Sequence, residues 1–182
     1  MPNHLDLAQW KRIFLDQILS DIHWAIDSKR NLAAAQLILS AIDVIAGLDR
    51  PSSQAETSGD IFIQWCDAHM ALTGTNCTLT GLDLWGARCG FLHGYTPIAK
   101  VVRQGRARML GYVDEAQSPV MGSEEVPDLL IISLRSLAAA LAQGMAASMK
   151  RANNDELIGP IVNKRMETMF HSIDLPEQFW TV

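Results

Sequence analysis

Through the first quarter of the chain apolar residues recur at three- and four-residue steps in two successive stretches, with only a few polar positions between them. Residues 6–26 carry the stripe Leu7, Trp10, Phe14, Ile18, Ile22 and Ala25, widened by Leu15, Leu19 and Ile26. The second stretch carries Leu32, Ala35, Ile38, Leu39, Ile42, Ile45 and Ala46, and closes at Gly47. This spacing fits one face of an α-helix, whereas a half-buried strand would show strict alternation. Asp27 and Ser28 offer a cap between the two, and so short a connection forces the helices antiparallel. The chain is thereby committed to a helical bundle before its other segments are considered.

The remaining segments extend that bundle. Ser58 can cap a third helix bearing Ile61, Phe62, Trp65, Cys66, His69 and Met70. Thr80 can cap a fourth over Gly81–Gly94, with Gly94 as its left-handed stop. Thr96 as cap, Pro97 at the first helical position and Gly105 as stop predict a short fifth helix. The period then falls to that of strands at 107–113 and 129–132, around a loop with Ser118, Pro119 and Gly122, which predicts a small β-hairpin. Ser133 can cap a long helix reaching about Arg151 on Leu134, Leu137, Ala138, Leu141, Met145 and Met149. Asn153 and Glu156 suggest a capping box for a last helix that Gly159-Pro160 should kink. Phe170, Phe179 and Trp180 give the tail apolar surface to dock. No repeat or linker divides the chain, so the expectation is one mainly α domain over 1–182, of about six helices with a small hairpin near 106–132.

Composition narrows the function classes. A formal charge of −5 excludes a protein that coats nucleic acid through broad electrostatics. A local cluster, Lys100, Arg103, Arg106 and Arg108, remains a candidate for substrate binding, the alternative being a solvated loop. Charged residues make up only 19% of the 182 positions, which leaves surface for a partner and favours an oligomer. The N-terminus shows no basic-then-apolar leader. The apolar run 129–149 is broken by Arg135, Gln143 and Gly144, so it reads as a core helix and no membrane association is expected. Three cysteines without framework spacing suggest reduced thiols and a cytoplasmic location. Neither a phosphate-cradling glycine loop nor a G-x-S-x-G nucleophile setting occurs, and no cofactor is expected.

The segment G-L-D-L-W-G-A-R-C-G-F-L-H-G concentrates the chemistry. It places Arg88 and His93 on an otherwise apolar helix, where an unpaired cation is expensive. An arginine can hold a phosphate and a histidine can move a proton near neutral pH. Five positions at about 100° each put the two side chains about 140° apart. They converge if the last turn unwinds near Gly94, or if a second copy of the helix packs alongside. Asp43, which interrupts the apolar stripe between Ile42 and Val44, could orient His93 or pair with Arg88; otherwise it is an exposed helix position. Asp83, five residues before Arg88, is not a natural same-face partner for it.

The R-x4-H spacing, in the stretch R-C-G-F-L-H-G and after three helices, resembles the signature of the HEPN superfamily (higher eukaryotes and prokaryotes nucleotide-binding) over roughly residues 6–94. The resemblance implies metal-independent RNA cleavage by a homodimer, with two copies of the motif facing each other, in a protein of the defence or toxin type with a cognate antitoxin or other regulatory protein. Carried onto this chain, it implies that His93 is the general base or acid for the ribose 2′-hydroxyl and the leaving oxygen, and that Arg88 holds the scissile phosphate. Active members usually carry a polar residue directly after the arginine, where this chain has Cys89. The alternative is therefore a catalytically silent HEPN-like module that binds a nucleotide or a partner protein. A third reading is a zinc-stabilised regulatory domain built on Cys66, His69, Cys89 and His93, a ligand set that zinc accepts. Trp10, Trp24, Trp65 and Trp85 are expected as core or interface anchors.

Overall fold

Asp6 caps the N-terminal rod by accepting a hydrogen bond from the Gln9 amide at 2.9 Å, and the rod then runs unbroken to Asp27. A computed structural model describes residues 4–169 of the chain, Thr75 excepted. The rod comprises α1 (Leu7–Lys11), a π-helical segment (Arg12–Leu19) and α2 (Ser20–Asp27). The widened middle changes which residues face inward. Phe14 and Leu19, five positions apart, are both buried, while Leu15, 47% exposed, turns outward. Five-residue spacing is the period of π hydrogen bonding, so the straight 3.6-residue stripe holds on either side of this segment and slips within it.

The second apolar stretch becomes α3 (Asn31–Asp49), two residues longer than Gly47 suggested and without a side-chain cap at its start. Ten of its residues, from Ala34 to Leu48, are buried. This burial follows from its position, since it packs on α2, on α4 (Gly59–His69), on α5 (Gly81–Gly94), on α7 (Leu134–Asn154) and on α8 (Ile158–Met166). Among the described residues it is also the helix long and apolar enough to span a membrane by length and composition, and 56% of that window is buried inside the protein. The apolar run 129–149, read from the sequence as core, divides into a strand and the start of a long helix, as the strand pattern at 129–132 and the Ser133 cap predict.

The chain over 107–133 departs from the expected hairpin. β1 (Met109–Val113) and β3 (Leu129–Ser133) do lie side by side, but they are parallel, Met109 opposite Leu129 and Val113 opposite Ser133. The antiparallel partner of β3 is β2 (Val120–Gly122), on its other edge, with Val120 opposite Ile132. The order is β1-β3-β2. A hairpin requires a tight turn between the paired strands, and the connection from β1 to β3 is long enough to return the chain to the starting end. The edge strand β1 supplies the core with Leu110 and the central strand β3 with Leu130 and Ile132.

Three smaller predictions shift. The short helix α6 covers only Lys100–Arg103, because Thr96 accepts from the Ile98 amide at 3.2 Å in a local turn instead of capping a helix. Gly105, at φ +64°, ends it as expected. α8 starts from Asp155, whose carboxylate accepts from the Leu157 and Ile158 amides at 2.9 and 3.1 Å. Pro160 therefore sits in the first turn, where its missing N–H removes nothing, and no kink results. Phe170, Phe179 and Trp180 lie outside the described residues. Trp10 and Trp65 are core residues, whereas Trp24 is 68% exposed.

At one end of the bundle a polar network joins three helices. The Trp65 indole donates to Ser148 at 3.1 Å and to Asp49 at 3.2 Å, the Ser148 hydroxyl donates to Asp49 at 2.6 Å, and Arg151 donates to Asp49 at 2.5 Å. Each buried polar atom in it finds a partner, which is what keeps such a cluster from destabilising the core.

Candidate functional site

The site is organised by α5, whose start is fixed by a reciprocal capping box. The Thr80 hydroxyl accepts from the Asp83 amide at 3.2 Å, and the Asp83 carboxylate accepts from the Thr80 amide at 3.1 Å. Asp83 is buried, and it also receives the Arg108 amide at 2.8 Å and the Arg108 guanidinium at 2.6 Å. Burial alone would raise its pKa. The hydrogen bonds from Arg108 and Thr80 outweigh that and hold the carboxyl below the usual carboxylate range. The same pairing pushes the Arg108 guanidinium up.

Two turns later, Arg88 meets the carboxylate that breaks the α3 stripe. Its Nε donates to Asp43 Oδ2 at 2.7 Å, with the two side chains 21% and 23% exposed. The guanidinium carbon stands 5.0 Å from the centroid of the Trp85 ring, three residues earlier on the same helix. A carboxylate and an aromatic face thus fix the cation. Asp43, Val44, Thr57, Ser58, Trp85 and Arg88 line an open cleft of about 300 Å³. With Nε used by Asp43, the terminal Nη groups can address an anion there. The Cys89 thiol is raised by burial, an effect that Arg88 partly opposes, so it is a neutral side chain at physiological pH.

His93 stands elsewhere. It is exposed, makes no hydrogen bond or ion pair with a described residue, and is not part of the Arg88 cleft. Apolar residues close to it in sequence are exposed as well: Leu92 is 43% exposed, Tyr95 64% and Ile98 43%. The last turn of α5 does not unwind to bring it back, because the left-handed residue is Tyr95, at φ +47°, and not Gly94. Of the candidate triad, one chain unites Arg88 with Asp43 and leaves His93 apart.

The basic segment divides as well. Arg108 is taken up by Asp83 and by the Thr78 carbonyl at 2.6 Å. Arg103 donates to the Ile98 carbonyl at 3.2 Å and is otherwise exposed. Arg106 is exposed and makes no ion pair among the described residues. The zinc constellation is not assembled: no three metal-ligating side chains gather among the described residues. Cys66 is a core residue whose thiol burial pushes up, and the His69 ring packs on Trp65 at 5.0 Å.

Sequence reasoning missed Trp85 as the platform for Arg88, although its position three residues before, on the same helical face, carried the signal. Thr57 and Ser58 reach the cleft from a distant loop, and no local pattern marks them. Comparison of the chain with family models, with curated proteins and with solved structures returns no match. The functional reading therefore rests on the residues themselves.

Proposed function

We propose that the protein is a HEPN-like, metal-independent ribonuclease that acts as a homodimer, in which the Arg88 cleft of one copy is completed by the His93 of another. The observation that carries this is the Arg88–Asp43–Trp85 assembly. It presents a cation that is held in place yet open to a cleft, on the same helix as an exposed, unpaired histidine. In the proposed reaction His93 takes the proton of a ribose 2′-hydroxyl, which then attacks the neighbouring phosphorus. The phosphorus–oxygen bond to the next nucleotide breaks, and that leaving oxygen takes up a proton. Arg88 balances the charge that grows on the phosphate oxygens. Asp43 acts through Arg88 as a positioning residue.

The exposure of Leu92 and Tyr95, within two residues of His93, supports the second copy, since exposed apolar side chains beside a polar group suit a symmetric contact. The same reading carries a cytoplasmic location and a regulatory protein that restrains the nuclease. A second reading, a silent HEPN-like module, is favoured by Cys89 and by the commitment of Arg88 to Asp43; it predicts RNA binding without turnover. Purified protein incubated with single-stranded RNA in EDTA is expected to cleave it. His93→Ala is expected to lower the rate by about 10²- to 10⁴-fold, the usual contribution of a general acid or base. Cleavage that survives the substitution unchanged rejects the assignment.

A further inference from the structure

The parallel pairing of β1 with β3 brings Arg108 and Asp128 to the same end of the sheet, since Met109 stands opposite Leu129. Just upstream, Gly105 turns the chain out of α6 at φ +64°. These segments and the start of α5 enclose a cleft of about 440 Å³ that shares no residue with the Arg88 cleft. At its base lies Asp83, whose buried carboxylate is fully engaged by Thr80 and Arg108.

Two charged groups of the cleft are not engaged. Arg106 is held through its backbone, its amide donating to the Val101 carbonyl at 3.0 Å. Its guanidinium is exposed and makes no hydrogen bond or ion pair among the described residues. Asp128 is held likewise: its carbonyl accepts from the Met109 amide at 2.8 Å. It takes the left-handed φ of +60°, a conformation that aspartate adopts more readily than most residues. Its carboxylate is exposed and accepts no hydrogen bond among the described residues. The Arg108 guanidinium, pushed up above all by its hydrogen bond to Asp83, feels the Asp128 charge as well.

Charge narrows what such a cleft can hold. Arg106 and Arg108 are matched in number by Asp83 and Asp128, so a phosphate meets no net positive field and is repelled by the free carboxylate. A neutral ligand with N–H donors beside acceptors meets both free groups at once. Val102, Met109 and Pro127 add apolar surface for a ring, which a small zwitterion would leave unused. Guanine carries two N–H donors, at N1 and the 2-amino group, directly beside two acceptors, O6 and N7. A carboxylate can accept from the first pair, and a guanidinium is bidentate to the second. Adenine has a bare acceptor nitrogen at N1, to which a carboxylate cannot bond.

We infer that this cleft binds a guanine base, with Asp128 accepting from N1–H and the 2-amino group and Arg106 donating to O6 and N7. The base arrives as a free nucleoside or nucleotide, or within an unpaired RNA strand, where base edges are open to such reading. Only the second source rests on the ribonuclease reading.

Calorimetric titration of the full chain with guanosine, inosine and adenosine tests the site without reference to cleavage. Guanosine is expected to bind about tenfold more tightly than inosine, which lacks the 2-amino group, and more tightly still than adenosine, within the range of one bidentate contact. Asp128→Asn should remove the preference, because an amide offers one acceptor in place of two, and asparagine tolerates the same φ. Arg106→Ala should weaken guanosine by about tenfold, again the range of one bidentate contact. Both side chains are exposed and unpaired, so neither change should lower the melting temperature. A uridine-rich single strand with one guanosine, compared with its adenosine counterpart in His93→Ala protein, separates the sources. A guanosine preference there, lost in Asp128→Asn, upholds the site with RNA as its ligand; binding of the nucleoside alone upholds it for a free nucleotide. Equal affinities, no binding, or a preference that survives both substitutions overturns the proposal even where His93-dependent cleavage is seen, and the nuclease reading then stands without it. Guanosine binding lost in Asp128→Asn, in a protein that cleaves no RNA, upholds the base site and rejects the nuclease.

Discussion

At the scale of single residues, two carboxylates on neighbouring helices do different work because their surroundings differ. Asp83 is 2% exposed and is met by one guanidinium, two backbone amides and a hydroxyl. Asp43 meets a single arginine at the edge of an open cleft. The first is a structural anchor that ties the start of α5 to the residue before β1; the second positions a cation that a substrate can reach. Asp83→Ala removes the carboxylate from beneath Arg108 and is expected to cost about 3 kcal/mol, in the range for breaking a buried pair, as read from urea unfolding at pH 7. The pH dependence has a definite sign. The folded-state pKa is lowered, so the stabilisation is fully present above the unfolded value of about 3.9 and is lost as the pH falls through the lower folded value. The gap between wild type and Asp83→Ala should therefore be constant near neutrality and narrow below about pH 4.

At the scale of elements, α5 is a helix with one face of glycines, and that face sets what can lie against it. Gly86 and Gly90, four residues apart, let the return segment and α6 approach: a Cβ at Gly86 would meet Val101 at 3.2 Å, and one at Gly90 would meet a backbone oxygen at 2.1 Å. A side-chain neighbour can shift, but a backbone carbonyl cannot do so without moving its segment. Gly90→Ala is accordingly expected to cost about 1–3 kcal/mol as an overpacking change and to lower the melting temperature. Gly86→Ala should cost less. Helix starts such as Thr80, Ser58 and Ser133 were legible in the sequence because a cap is a contact between residues three apart. The direction of β1 against β3 was not, because strand pairing is decided by how the intervening chain returns. Nor was the outward turn of Leu15, placed on the stripe beside the buried Leu19, since a widened helical turn has no signature in a 3.6-residue pattern.

At the scale of the whole molecule, the separation of Arg88 from His93 is the central fact. The pairing of Arg88 with Asp43 could be anticipated from one carboxylate interrupting an apolar stripe. The company of His93 could not, since no described residue of the same chain provides it. About 140° of helix separates the two side chains, and a rigid, well-capped α5 cannot close that angle. If the site is composite, each active centre draws Arg88 from one chain and His93 from the other. Arg88→Ala and His93→Ala proteins are then each inactive alone. Mixed and allowed to exchange subunits, they form heterodimers in which one centre has lost both groups and the other retains both. Random exchange makes half of the dimers mixed and half of their centres intact, so about a quarter of wild-type activity is expected to return, its onset following the rate of subunit exchange. A site contained in one chain would leave every centre damaged, and the mixture would stay as inactive as its components.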